Sequence, residues 1–293
     1  LIILLFLYIM YKGERMKIIT IKRKIVFSIL ILFIISLIFL FYIFDIQNKK
    51  VIYESQNEEI VDEKLLDDIS DEKICEDDES KPRAELLIEQ YKRKKLIALT
   101  FDDGPSKYTS SLIDQLKKRE IPVTFFVLGE NVEKFPDTLK FAYDTGNEIG
   151  IHSYTHKLFT KLKEEEIYEQ IEKTNTILNN LIDKVPTLIR VPYGTRDEKI
   201  DKILSNVHLT DVLWSVDSKD WKLKNTNRIY QYVMKYIKGN DIILMHDTFK
   251  TSVEAAILIV DKLLSECYTF VTISEYIDTK EYVENISDIT TLK

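Results

Sequence analysis

The sequence predicts a mostly parallel α/β domain standing behind one apolar segment long enough to cross a bilayer. Three observations carry this. After about Leu96, short β-branched or aromatic runs alternate with amphipathic stretches; residues 25–44 are almost unbroken apolar sequence; and a densely acidic stretch separates the two. The 45% hydrophobic content of the 293 residues is therefore unevenly spread, and one domain of ordinary size remains once the apolar segment and the acidic stretch are set aside.

The strand-like runs are Leu96–Phe101, Val123–Val127, Glu148–His152, Leu188–Arg190, Val212–Val216, Ile242–Met245 and Phe270–Ile273. Helical patterns fill the gaps: one from Thr109 or Ser110 to Arg119, one opened by Pro136 and Asp137 and reaching Thr145, a long i, i+3, i+4 stripe over Glu164–Ile182, then Thr226–Ile237 and Val253–Leu264. About seven such units fit either an open doubly wound sheet or a small irregular barrel, and periodicity does not choose between them. In both, chemistry collects on loops leaving the carboxyl ends of strands.

Ile25–Phe44 is interrupted only by Ser28, Ser36 and Tyr42, and about twenty helical residues span a bilayer core. Lys17, Lys22, Arg23 and Lys24 precede it and Asp45 follows, so the expected topology is single-pass in the cell membrane, with residues 1–24 in the cytoplasm and the rest outside. No small-x-small cleavage site follows, which favours an uncleaved anchor. Met16 stands just before the basic cluster, which makes residues 1–15 a candidate for untranslated upstream sequence.

Residues 46–80 hold 13 acids and 4 bases, so the net charge of −7 belongs to this stretch and the folded part is nearly neutral. A nucleic-acid partner is not expected, and no obligate protein partner is indicated. Dense like charge with few aromatics predicts an extended stalk over 45–93, ahead of a domain at 94–280 and a tail at 281–293. Two cysteines, Cys75 and Cys267, are too few for a disulfide framework or a thiolate metal site, so free thiols are the expected state; the alternative, a bridge between them in an oxidising compartment, would pin the stalk to the domain.

Asp102 and Asp103 stand where the first strand run ends, followed by Gly104-Pro105, which breaks regular pairing. Alone, Asp-Asp-Gly-Pro also serves as a plain turn. His152 and His156, four apart just past another strand run, are two of only four histidines and can present imidazoles to one metal. Asp103, His152 and His156 then form a one-carboxylate, two-imidazole set with an open position, suited to a catalytic divalent cation such as zinc. Asp102 is the expected base for an activated water, and Arg190 the cation expected to hold it ionised. His246 ends another strand run, where a carboxylate such as Asp217 would favour the protonated ring that a general acid needs. Trp221 reads either as the wall of a small apolar pocket beside Leu244 or as plain core, and Tyr193 either as a core ring or as a backbone N–H for an oxyanion. Trp214 reads as core, and His208, Asp220 and Asp247 as loop polarity.

These segments, in this order, closely resemble the polysaccharide deacetylase family, also called carbohydrate esterase family four or the NodB homology domain. The resemblance runs from about Leu96 to Tyr276 through Thr100-Phe101-Asp102-Asp103-Gly104-Pro105, His152-Ser153-Tyr154-Thr155-His156, Arg190-Val191-Pro192-Tyr193, Asp217-Ser218-Lys219-Asp220-Trp221 and Leu244-Met245-His246. It implies a distorted (β/α)7-type barrel with about seven strands. It also implies Asp102 as catalytic base, a metal site of Asp103, His152 and His156, Arg190 orienting the base, and His246 as acid tuned by Asp217. Tyr193, Trp221 and Leu244 would bind the acetyl group. The metal would be divalent, zinc foremost, with cobalt or another divalent as alternatives. Lys157 stands where a Pro often follows the second histidine and Ile151 where an Asn often precedes the first; neither change removes a reactive group. A family branch acting on muramic acid has Asn at the position of Asp103, so this chain's acid favours N-acetylglucosamine. The implied activity is metal-dependent release of acetate from N-acetylglucosamine of the peptidoglycan glycan strand. The alternatives are chitin oligomers, poly-N-acetylglucosamine or acetylxylan, and an inactive, tethered carbohydrate-binding protein.

Overall fold

A computed structural model describes residues 81–291, with side chains to Ile286. The expected cytoplasmic residues 1–24, the apolar segment 25–44, the stalk up to residue 80 and Cys75 lie outside the described residues. Cys267, expected as a free thiol, is instead disulfide-bonded. Among the described residues, no helix is long and apolar enough to cross a membrane.

The chain runs α1 (Arg83–Lys92), β1 (Leu96–Asp102), α2 (Thr109–Lys117), β2 (Thr124–Val127), α3 (Gly129–Lys134), α4 (Pro136–Asp144), β3 (Glu148–Ile151), α5 (Glu164–Ile182), β4 (Leu188–Ile189), α6 (Glu198–Asn206), β5 (Thr210–Asp211), β6 (Val216–Asp217), α7 (Asp220–Leu223), α8 (Thr226–Tyr236), β7 (Asp241–His246), α9 (Lys250–Ser265), β8 (Thr269–Val271) and α10 (Ile273–Thr291). All pairings are parallel. The strand order is β5-β4-β3-β2-β1-β7-β6, with β8 also on β1, so the sheet curls into a half-barrel of the (β/α) type. Its path ends at β5 and β6, and no ladder joins those ends among the described residues.

Strand β1 sets the geometry. Every residue of it is buried, as a continuous apolar run in a parallel sheet should be. The two-residue period sends Ile97, Leu99 and Phe101 into the larger cluster with Leu112, Ile113 and Leu116 of α2, while Leu96 and Ala98 join a second cluster with Phe126, Leu188 and Val212. Thr100 and Asp102 continue that second face. The apolar side chains below them thus deliver Asp102 to the mouth of the half-barrel.

Three expectations are corrected. Of the strand expected over 212–216 only Val216 is extended, in β6, and residues 212–215 pair in no ladder. The short strands β5 and β6 flank those four, because Arg190 donates from Nε to Val212 O (2.8 Å) and from Nη2 to Leu213 O (3.4 Å), taking carbonyls a ladder would use. The stalk does not reach residue 93: α1 buries Leu87 in the cluster that holds Leu96, Val271 and Ile273, with Tyr91 partly buried against it, few apolar contacts in a charged segment and so a weak signal. Residues from 281 onward do not begin a separate tail, since α10 runs through them, and its first turns meet α1 through Arg83–Glu275 (2.7 Å) and the edge-on rings of Tyr91 and Tyr276.

Candidate active site

Asp102 is the last residue of β1, paired in register with His246 of β7 on one side and Phe126 of β2 on the other. A base and an acid are thereby placed at the ends of neighbouring strands. Asp102 is buried, and the fully buried Arg190 reaches it from Nη1 to Oδ1 (2.8 Å) while also donating to Thr100 Oγ1 (2.8 Å). The Arg190 guanidinium lies over the Phe126 ring, 4.2 Å from its centroid. Arg190 lowers the Asp102 pKa as expected, but it does not decide the net direction. Burial dominates and raises it, and the charge and hydrogen bond of Arg190 offset only part of that cost.

Asp103 takes a left-handed backbone (φ 72°), so it turns away from the β1 ladder while Asp102 stays in it. Its carboxylate, His152 and His156 offer ligand atoms all within 4.8 Å of one another, each histidine Nε2 lying 3.6 Å from Asp103 Oδ1. Asp103 Oδ1 is buried with no hydrogen-bond partner. His152 Nδ1 meets the Arg190 carbonyl at 2.5 Å; a carbonyl only accepts, so Nδ1 carries the proton and the Nε2 lone pair faces Asp103. Burial, opposed only in part by Asp103, pushes the His152 pKa down to about 3, keeping the ring neutral. An orphaned carboxylate oxygen facing a neutral imidazole lone pair fits a divalent cation, and Asp103, His152 and His156 are the residues to hold it.

His246 is held from Nδ1 by Asp220 Oδ1 (2.8 Å), whose carboxylate also accepts the backbone N–H groups of His246 (2.7 Å) and Trp221 (2.8 Å). Here the sequence expectation is corrected: Asp217 does not stand behind His246. Its Oδ1 accepts the Lys219 N–H (2.9 Å) and its Oδ2 pairs with Lys219 Nζ (2.6 Å). The left-handed Lys219 (φ 55°) makes the difference, because it turns the chain into α7 and swings the next residue, Asp220, inward. Burial resists charging His246, yet the Asp220 hydrogen bond and charge, with Asp102 and Asp103 adding to them, push its pKa up to about 9. Its Nε2 looks toward Asp103 Oδ2 at 3.9 Å.

Tyr193 also has a left-handed backbone (φ 63°), is 61% exposed as a residue, and sets its ring edge-on to His156 at 4.5 Å. Leu244 is buried at the end of β7 and Trp221 is half exposed. Trp214 is not core: half-buried, it touches the space where Gly194 (φ 62°) lacks a side chain. Asp247 is not loop polarity. It is wholly buried, takes a short hydrogen bond from Thr109, and its Oδ2 lies 2.3 Å from where a Cβ on Gly104 would sit. Burial pushes its pKa up to about 7.

The family model described as polysaccharide deacetylase matches residues 89–212. Peptidoglycan-N-acetylglucosamine deacetylase of Bacillus cereus is 37% identical over 190 residues, covering 63% of this chain and 69% of that protein.

The chain belongs to the polysaccharide deacetylase family.

Peptidoglycan-N-acetylmuramic acid deacetylase PdaC of Bacillus subtilis is 38% identical over 212 residues, covering 70% of this chain, and the chain spans 45% of its length. A solved structure of peptidoglycan deacetylase PdaC from Bacillus subtilis superposes with a TM-score of 0.64 at 38% identity, covering 68% of this chain and 98% of that one. The family match ends at residue 212, before Asp220, Leu244 and His246, so in this family member the acid side of the site rests on the structure. Sequence reasoning missed Asp220 and Asp247. Neither carries a usable sequence signal: Asp220 is turned inward by the left-handed backbone of Lys219, and Asp247 is met by Thr109 of α2, far away in the chain.

Proposed function

We propose that this domain hydrolyses N-acetyl groups of a cell-wall polysaccharide, foremost N-acetylglucosamine of peptidoglycan, releasing acetate and leaving a free amine. The observation that carries the proposal is the pairing of Asp102 with His246 in register at adjacent strand ends, each backed by its own buried partner, beside the Asp103, His152 and His156 cluster. The peptidoglycan deacetylase names of the relatives supply the substrate class.

Arg190 fixes Asp102 Oδ1 and leaves Oδ2 to take a proton from the attacking water. The raised Asp102 pKa brings the base closer to neutral pH than a surface carboxylate. His246, with Nδ1 committed to Asp220, carries its transferable proton on Nε2 and delivers it to the departing sugar amine. The Tyr193 N–H, turned by its left-handed backbone, serves the oxyanion, and Trp221 and Leu244 exclude water around the acetyl methyl. A divalent cation held by Asp103, His152 and His156, zinc by the nature of the donors with cobalt as the alternative, would supply Lewis-acid polarisation and lower the pKa of water.

Acetate release from purified peptidoglycan and from chitin oligomers, with and without a chelator, tests the activity; no acetate from either polymer by metal-loaded protein would overturn it. A second reading, deacetylation of muramic acid, is favoured by the name of the Bacillus subtilis relative. Both sugars are named among relatives of similar identity, so overall identity does not choose between them. Mass spectrometry of the digested product, reading which sugar bears the amine, separates them. The apolar segment 25–44 and the acidic stretch after it support a domain held outside the cell membrane. Protease access to the domain on intact cells tests that placement.

A further inference from the structure

The loop from His152 to His156 is held in a conformation that residues with a Cβ rarely adopt, for Ser153 (φ 71°) and His156 (φ 55°) both lie in the left-handed region. Such a segment persists only where its surroundings fix it. Part of the fixing comes from the start of α3, where Gly129 and Glu130 donate their N–H groups to Ser153 O and Tyr154 O (both 3.1 Å). Ser153 Oγ accepts the His156 N–H (2.9 Å). The N–H groups of Tyr154 and Thr155 are satisfied from farther away in the sequence. Gln170 Oε1, on α5, accepts from Tyr154 N (3.2 Å), Thr155 N (2.9 Å) and Thr155 Oγ1 (3.1 Å).

Gln170 stands on a rigid mount. Ile167, Ile171 and Leu178 bury the same helix in the core, and Thr174 Oγ1 bonds back to Gln170 O (3.0 Å). Gly129 lets α3, the loop and α5 meet, since a Cβ there would lie 2.6 Å from both Thr174 Oγ1 and the Tyr154 ring. The loop between the two histidines is thus gripped by one amide oxygen.

We propose that Gln170 is a positioning residue of the metal site, setting the separation and aim of His152 and His156 through the peptide groups between them. This rests on reading Asp103, His152 and His156 as metal ligands. Removing the acceptor strands two loop N–H groups and frees the left-handed residues to relax, which moves His156 off its line to Asp103. Partners of this kind, one step out from the ligands, typically change metal affinity by about 10- to 100-fold.

The test is Zn2+ affinity of the metal-free full chain, measured by competition with a chromophoric chelator, alongside the melting temperature of the metal-free protein. Gln170→Leu, close in size but without the acceptor, should weaken Zn2+ binding about 10- to 100-fold while the metal-free melting temperature stays near that of the wild type. Gln170→Glu, which keeps an acceptor oxygen, should restore most of the affinity. If Gln170→Leu does not fold, Thr155→Ala removes one of the three donors and should show a smaller loss of the same sign. Wild-type affinity in Gln170→Leu, or in Thr155→Ala where that variant is used, overturns the role of Gln170 alone. A wild-type chain that binds no Zn2+ overturns the metal-site reading and this inference with it.

Discussion

Two buried ion pairs stand side by side at the mouth of the half-barrel, Asp102–Arg190 at the end of β1 and His246–Asp220 at the end of β7, both at 2.8 Å. Their contacts are alike and their protonation is tuned for opposite tasks. In the first pair the reactive member is the carboxylate, and burial outweighs its cationic partner, so Asp102 is a stronger proton acceptor than an exposed carboxylate. In the second the reactive member is the imidazole, and the carboxylate partner outweighs burial, so His246 keeps a proton. A short salt bridge therefore does not by itself say which way a pKa moves; the balance of desolvation against charge does.

The largest break in this comparison is Asp102→Asn, which keeps the shape and removes the proton acceptor. Acetate release should fall about 10²- to 10⁴-fold, while Zn2+ titration should show metal binding retained. Arg190→Met leaves Asp102 buried without its cation, and urea unfolding should show a loss of about 3–5 kcal/mol. Asp220→Asn removes the carboxylate from the other pair. His246 should then titrate well below its present value, near 9, and kcat at neutral pH should fall about 10- to 100-fold with KM little changed. Asp217→Asn, by contrast, loses only a contact to Lys219, so stability should move by less than about 0.5 kcal/mol and activity should hold.

The second pair also carries a pH signature. Its folded value, about 9, lies above the ordinary 6.5, so its contribution to stability is fully present below about pH 6.5 and is lost as the pH rises through about 9. NMR titration of the metal-free protein reads this directly, and a His246 ring titrating at or below 6.5 would sink the assignment of Asp220.

The first pair was more legible in the sequence than the second. Asp102 and Asp103 are adjacent at the end of an unmistakable buried strand, and His152 and His156 are a rare residue at a ligand spacing. Arg190 also meets the acid it was expected to meet. The partner of His246 was misassigned because Asp217 and Asp220 are two acids of one motif, and the choice between them turns on the backbone of Lys219, which residue type does not fix. The strand expected over 212–216 shrank to Val216 for a related reason: its apolar pattern is real, but Arg190 takes the carbonyls of Val212 and Leu213. Helix α1 was hidden because a charged segment with one well-buried leucine has almost no periodic signal.

The sequence by itself determined the parallel α/β class, because strand and helix periods are written in local apolar spacing, and it determined which residue types converge on a carboxylate and imidazole site. Only the tertiary structure decided which acid backs His246, that burial rather than Arg190 governs Asp102, and that a glutamine on α5 grips the loop between the histidines. Each of these depends on residues far apart in the chain meeting in a low-dielectric interior, where distance and desolvation, not residue identity, set the energy.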